Sequence, residues 1–213
     1  MTFGKTLGLA VLAMIVLPVI GQAQELACTP TTQIAVQHRS TMKHRAPGDT
    51  GTSEQTTTVT KMLAWSAPTG IADSKTRRSN EPIDDREKQV YTLEGDLWRV
   101  IVEDNDCDFH FELTTPGHSK TAPRVIVEIP QGLAYASTRE NIIQELTANG
   151  YSLSVGKSIT MDEPLRVSVT GYAFYDSAHY SKKNPQKGHS HGTAYVGTLW
   201  ELHPVWKVAF ASP

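Results

Sequence analysis

Five short segments of this chain place acidic residues or histidines on or beside stretches whose composition is typical of β-strands. They are 106–112 (DCDFHFE), 125–130 (VIVEIP), 169–179 (VTGYAFYDSAH), 188–192 (GHSHG) and 201–205 (ELHPV). A carboxylate or imidazole buried without a partner costs free energy, so these groups are expected to pair with one another or to hold a ligand. If the strands pack into one small barrel, the groups could meet in a single site.

Strand alternation divides these groups into strand positions and loop positions. His110 shares a strand face with Asp108 and Glu112, because the apolar residues at 109, 111 and 113 occupy the other face. The strand group consists of His110, Glu128, Glu201 and His203. The loop group consists of Asp176, His179, His189 and His191.

Imidazole nitrogens beside carboxylate oxygens suit zinc or another divalent transition ion, and an open coordination position would make such a site catalytic. The predicted catalytic residues are His110, Glu128, Asp176, His179, Glu201 and His203. The predicted metal ligands among them are His110, His179 and His203. One histidine or glutamate would then act as the general base toward a water.

No recognised metalloenzyme signature supports this hypothesis, because the chain has neither HExxH nor CxxC. The structural alternative is a set of carboxylate–imidazole pairs that only fix the strand register. The loop pair His189 and His191 is more typical of solvated side chains than of ligands.

The pattern along the chain predicts five strands and one helix. Alternating or continuous apolar runs indicate strands, and Ser137 with Glu140 indicates a capping box that begins a helix ending at Asn149-Gly150. The predicted strands are 89–102, 109–113, 124–129, 165–175 and 198–210, and the helix is 137–149.

This order predicts a mainly β, OB-fold-like barrel, which is a five-stranded Greek-key barrel with a helix between its third and fourth strands. Gly95 and Gly171 stand where such a barrel bends sharply. A plain antiparallel sandwich is the alternative. Residues 57–65 are expected to form a further strand, and 177–194 an exposed loop.

The chain divides into a signal peptide (1–23), an irregular N-terminal extension (24–88) and the barrel domain (89–213). Lys5, an apolar run over 7–20 and small residues at 21 and 23 are the features of a secretory signal peptide. We therefore expect export to the periplasm or the outside of the cell, with no transmembrane segment in the mature chain.

Cys28 and Cys107 are the only cysteines. In an oxidising compartment such a pair is most simply a disulfide, which would tie the N-terminal extension to the strand that carries His110. Two unpaired thiols are the alternative, and the spacing matches no zinc motif.

The formal net charge of −2, or −3 once Lys5 is removed, gives no general attraction to nucleic acid or anionic membranes. Local basic stretches, among them Lys43-His44-Arg45, are expected to be solvated loop charge. The barrel aromatics are expected in the core, although exposed ones beside Arg99 or Arg166 would favour stacking of bases or sugars.

Several motifs occur in an order that resembles a group of exported bacterial proteins of unknown activity. The matching positions are Arg78, Glu81, Glu103, Asp108-Phe109-His110, Val127-Glu128-Ile129-Pro130, Val169-Thr170-Gly171, Asp176, His179 and Glu201–Val205. The resemblance covers about 78–210 and implies no activity. The relatives tend to carry a short Gly-Gln-Gly stretch after the position of His179, where this chain is lysine-rich with two more histidines.

Two hypotheses of function follow. The first is an exported OB-like binding or structural module whose unknown extended ligand is an oligonucleotide or an oligosaccharide. The second is a metal-assisted, nuclease-like hydrolase that uses the His/carboxylate cluster and a divalent metal such as zinc.

Overall fold

Four α-helices, six β-strands and three short 3-10 turns are the regular elements of the residues that the structure describes. This computed structural model covers residues 26–31, 38–48 and 53–211 together with Met1, so the predicted signal peptide lies outside the described residues except for its first residue. In chain order the α-helices and strands are α1 (Ser40–Lys43), β1 (Gln55–Thr58), α2 (Val59–Leu63), α3 (Ser74–Arg77), β2 (Val90–Val102), β3 (Phe109–Thr114), β4 (Arg124–Ile129), α4 (Ala136–Ala148), β5 (Ser158–Tyr175) and β6 (Val196–Phe210).

The strands β2 to β6 close into a barrel. Their order is β2-β3-β4-β6-β5, and β5 pairs back onto β2. All neighbours are antiparallel except β4 and β6, and β1 adds to β2 as a parallel sixth strand. With α4 between the third and fourth barrel strands, this confirms the predicted OB-like fold.

Strand alternation separates the core from the outer face of the barrel. Phe109, Phe111 and Leu113 of β3 are fully buried in the hydrophobic core, as are Ile142 and Leu146 of α4. Burial of each such side chain contributes about 1.5–3 kcal/mol. The alternate positions of β3 and its neighbours therefore face away from the core.

Gly171 marks the predicted bend in β5. The register between β5 and β6 shifts on both sides of Gly171, and a Cβ built there would lie 2.6 Å from the carbonyl oxygen of Pro204. Only glycine lets the two backbones come this close.

Two local predictions are wrong. The expected strand 57–65 is a short strand followed by α2, because the Thr58 side chain accepts a hydrogen bond from the Lys61 amide and caps a helix that buries Val59 and Met62. Helix α4 does not use the predicted capping box. A 3-10 turn (Leu133–Tyr135) leads directly into it, without a side-chain cap.

A disulfide and buried hydrogen bonds attach the N-terminal part to the barrel. Cys28 and Cys107 form the predicted disulfide. The Arg39 guanidinium makes two 2.7 Å hydrogen bonds to the buried Glu87 carboxylate just before β2, and it also donates to the Tyr175 carbonyl oxygen of β5 at 3.1 Å. The expectation that Lys43-His44-Arg45 is solvated is wrong, because the whole stretch is half-buried and Arg45 lies 4.1 Å from the centre of the Tyr172 ring.

Among the described residues, no helix is long and apolar enough to cross a membrane.

Candidate functional site

The candidate site lies on the outer face of β3, β4 and β6. His110 and Glu128 are directly opposite each other on antiparallel strands, and Glu201 is aligned with Ile126 on the neighbouring parallel strand. His203 follows two residues after Glu201 and therefore shares its face. The register between three strands thus brings together groups from three distant parts of the sequence.

The first of two groups, which we call the cleft group, consists of Asp176, His179, His191 and Glu201. Asp176 Oδ2 lies 3.5 Å from His179 Nε2 and 3.6 Å from His191 Nε2. Glu201 Oε1 accepts a 2.8 Å hydrogen bond from His191 Nε2. Two imidazoles and two carboxylates therefore converge from β6 and from the loop after β5.

The second group, which we call the inner group, consists of Asp108, Glu128 and His203. His203 Nδ1 is 2.8 Å from Glu128 Oε2 and 3.4 Å from Glu201 Oε2, and His203 Nε2 is 3.4 Å from Asp108 Oδ2. Asp108 and His203 are fully buried. One ligand atom from each of these three residues lies within 4.8 Å of the other two, and the same holds for Asp176, His191 and Glu201.

His110 belongs to neither group. Its Nδ1 is 2.9 Å from Glu128 Oε1, and its Nε2 is 3.8 Å from Glu112 Oε1. Burial favours the neutral imidazole, but the contacts with Glu112 and Glu128 raise the pKa of His110 to about 10. The three histidines predicted as one ligand set therefore do not face one common centre: His110 and His203 contact opposite oxygens of Glu128, whereas His179 contacts Asp176.

Glu112 fixes the loop that carries His191. Its buried carboxylate accepts hydrogen bonds from the Thr193 amide at 3.0 Å and from the Thr193 hydroxyl at 2.5 Å. Arg99 and Arg124 also donate to it, at 3.1 and 2.9 Å. The loop was predicted to be exposed, but this anchor holds His191 at only 8% exposure beside the strands.

A cleft of about 340 Å³ opens over Asp176, His179 and His191 of the cleft group, and Glu201 is buried behind them. It lies on the second and third barrel strands, between the turn after β2 and the loop after β5. OB-folds bind their ligands at this face and with these two loops. Its lining residues are Lys43, Arg99, Glu103, Asn105, Asp106, His110, Glu128, Asp176, His179, Ser190, His191 and Gly192.

The electrostatics of the site are dominated by carboxylates. Burial opposes the charged form of Lys43, yet the surrounding carboxylates, led by Asp176, raise the pKa of its ammonium group. Burial and the charge of Asp108 raise the pKa of Asp106 to about 7. Burial would lower the pKa of His203, but the carboxylates around it, led by Glu128, raise it well above the ordinary value. A proton on an imidazole and a bound cation are alternative ways to offset these charges.

The barrel aromatics do not form a stacking surface. Trp98, Tyr172, Phe174 and Trp200 are buried, and Trp206 is half-buried. The described residues therefore offer no row of exposed rings beside Arg99 or Arg166 on which bases or sugars could stack.

Sequence reasoning identified Glu128, Asp176, His179, Glu201 and His203 as candidates, and each lies in one of the two groups. It left Asp108 and His191 out of the predicted catalytic set, although strand alternation and the clustering of histidines pointed to both. Lys43 gave no signal beyond its charge, because its position depends on how the N-terminal segment packs.

Comparison with protein-family models, curated proteins and solved structures finds no match for this chain.

Proposed function

We propose that this protein is an exported hydrolase that binds a divalent metal ion through the cleft group. The observation that carries the proposal is the position of Asp176 Oδ2, 3.5 and 3.6 Å from the two Nε2 atoms of His179 and His191. Two ligands bound at about 2.1 Å to a tetrahedral ion are about 3.4 Å apart, so these separations suit a shared zinc-like ion.

The remaining atoms of His179 and Asp176 support the assignment. The His179 ring donates from Nδ1 to the His189 carbonyl oxygen at 2.9 Å, as metal-binding histidines do with their second nitrogen. Asp176 Oδ1 accepts from the Ala178 amide at 3.1 Å, which leaves Oδ2 for a cation. Glu201 supplies the further carboxylate.

The ion would lower the pKa of a bound water and polarise the bond to be cleaved. A cleft carboxylate would take a proton from the attacking water, the water oxygen would bond to phosphorus or carbon as the bond to the departing group breaks, and the same carboxylate would return the proton to the departing group. Lys43 and Arg99 line the same cleft. Together with the bound ion, which would offset the surrounding carboxylates, they would contact the negative charge of a substrate such as a phosphodiester.

Export is part of this proposal. The Cys28–Cys107 disulfide is compatible with an oxidising compartment.

The test is turnover of bis-p-nitrophenyl phosphate and of a fluorescein-labelled single-stranded oligodeoxynucleotide by the mature chain, purified with a tag that lacks histidines. We expect zinc or manganese to support turnover, chelation to abolish it, and Asp176→Asn to lower kcat/KM at least about 100-fold. Asp85→Asn is the matched control, because the Asp85 side chain is 92% exposed. Turnover unaffected by chelation, or equal in the two variants, would contradict the proposal.

Binding of an extended ligand without chemistry is the second candidate function, and the position of the cleft on the ligand-binding face of an OB-like barrel favours it. The same experiment separates the two functions. Saturable binding of the oligonucleotide, with no turnover in the presence of any metal, would favour the binding module.

A further inference from the structure

We propose a second metal site beneath the N-terminal segment, with His44, Asp108 and His203 as its ligands and a zinc-like divalent ion as its occupant. The site would join the segment 38–48 to the barrel. It uses different residues from the cleft group, and its existence does not require that the cleft be catalytic.

Three buried atoms without hydrogen-bond partners mark this site. They are His44 Nε2, Asp108 Oδ2 and His203 Nε2. A buried acceptor or donor without a partner is costly, and most such atoms in native proteins are satisfied by protein, water or an ion. Asp108 Oδ2 and His203 Nε2 face each other as an ion pair at 3.4 Å. A cation between them would satisfy both atoms, and it would satisfy His44 Nε2 as well once that side chain moved into its coordination shell.

The distance between two of these atoms fits a metal better than a water. His203 Nε2 and Asp108 Oδ2 are 3.4 Å apart. An ion at about 2.1 Å from each would subtend an angle of about 108°, close to the tetrahedral value. A water that bonds to both at about 2.8 Å would subtend only about 75°, which is a poor hydrogen-bond geometry.

The second nitrogen of each histidine is already held. His203 Nδ1 is 2.8 Å from Glu128 Oε2, and His44 Nδ1 is 2.9 Å from the Ser40 carbonyl oxygen. Metal-binding histidines commonly donate their other N–H to a carboxylate or a backbone carbonyl in this way. Asp108 is held likewise, because its Oδ1 accepts from the Gln131 amide at 3.1 Å.

His44 is the ligand that must move. Burial lowers the pKa of His44, and the charges of Asp108 and His203 act on that pKa in opposite directions. His44 is not among the residues whose ligand atoms lie within 4.8 Å of one another. Binding would therefore draw the 38–48 segment toward the barrel. That segment also carries Lys43, which lines the cleft, so the ion would fix one wall of the cleft.

The test is the zinc stoichiometry of the full mature chain, titrated against a chromophoric chelator, for wild type, His44→Gln, Asp108→Asn and His191→Gln. We expect two ions in wild type and one in each variant. His118→Gln is the matched control and should keep two, because His118 is exposed. Far-UV circular dichroism shows which variants are folded, and only folded variants are compared. If His44→Gln does not fold, Asp108→Asn tests the same site.

Hydrogen exchange gives an independent readout of the same site. Zinc should slow amide exchange over 38–48 at least about 10-fold in wild type and His191→Gln, but not in His44→Gln. An occupant of the cleft group alone would act on this segment only through Lys43, so its effect on exchange would be the same in wild type and His44→Gln and would be lost in His191→Gln.

The outcomes separate the two proposals. Two ions in His44→Gln, or a single wild-type ion that only His191→Gln removes, would overturn the second site and leave the proposed function standing. A single ion that His44→Gln removes and His191→Gln retains would support the second site and overturn the metal-dependent cleft. No bound zinc would overturn both.

Discussion

Glu112 is a buried carboxylate that holds together the strands and the loop of the candidate site. Its carboxylate accepts hydrogen bonds from the barrel residues Arg99 and Arg124. It also accepts two hydrogen bonds from Thr193 of the loop. A buried charge is tolerated only when it is paired and fully hydrogen-bonded, and both conditions hold here. Glu112 therefore acts as a positioning residue for the loop that carries His191.

We expect Glu112→Gln to be less stable than wild type above about pH 5, by about 3 kcal/mol. Burial alone would raise the pKa of Glu112, but the contacts with His110, Thr193 and Arg124 hold it at about 2. Because the folded-state pKa is depressed, this stabilisation is present above the unfolded-state pKa near 4.5 and is lost as the pH falls toward 2.

Urea unfolding of both proteins between pH 7 and pH 2.5 measures this difference. The gap between their free energies of unfolding should narrow steadily below pH 4.5. A gap that stays constant with pH would show that the loss comes from packing and not from the charge of Glu112.

Alternation along β3 was sufficient to predict that Asp108, His110 and Glu112 share one face. Their partners could not be predicted, because cross-strand register depends on the whole barrel. His110 pairs with Glu128 only because these residues stand opposite each other on β3 and β4. The position of His191 depends in turn on the hydrogen bonds between Thr193 of the same loop and Glu112 of β3. No local sequence pattern indicates this contact.

At the scale of elements, the loop after β5 delivers Asp176, His179 and His191 to one side of the cleft. The His189 amide donates to the His179 carbonyl oxygen at 3.0 Å, and the His179 ring donates back to the His189 carbonyl oxygen. Gly188, with φ of 62°, makes this close return of the chain possible.

We expect Gly188→Ala to weaken metal binding by the cleft group at least about 10-fold. A Cβ at this position would collide with the His179 carbonyl oxygen and with the Leu199 side chain, which would push His179 away from Asp176. Gly117→Ala is the matched control, since Gly117 has φ of 81° and no atom within 4 Å of an added Cβ. In both variants the alanine must adopt a left-handed backbone conformation, which destabilises the folded protein by about 1–2 kcal/mol.

Zinc affinity and the melting temperature of the two variants give the measurement. Both variants should melt at a lower temperature than wild type, whereas only Gly188→Ala should bind zinc more weakly. Equal zinc affinity in the two variants would show that the loop does not depend on this close contact.

Elements with strong apolar periodicity were predictable, and short ones were not. The alternation over 109–113 and the continuous apolar run over 124–129 mark β3 and β4 closely. The stretch after Thr58 has β-branched residues that favour a strand, but Val59 and Met62 are buried one helical turn apart and Thr58 caps the turn. Tertiary packing overrides local propensity in such short segments.

At the scale of the whole molecule, the N-terminal part is joined to the barrel beside the site. The disulfide from Cys28 reaches Cys107, the residue before Asp108, and Arg39, which is paired with the buried Glu87, donates a hydrogen bond to the Tyr175 carbonyl oxygen of β5. The order of strands was enough to predict an OB-like barrel. The contribution of Lys43 and His44 was not predictable, because it depends on contacts between residues far apart in the sequence.

We expect removal of the disulfide to lower the free energy of unfolding by about 4 kcal/mol, because the bond closes a long loop in the unfolded chain. The two cysteines are 79 residues apart. Urea unfolding of wild type with and without dithiothreitol, and of the Cys28→Ser/Cys107→Ser double variant, measures the effect. The reductant should destabilise wild type to the level of the double variant and leave the double variant unchanged. If the reduced wild type keeps its urea midpoint, the attachment of the N-terminal part rests on Arg39 and the other non-covalent contacts, and not on the disulfide.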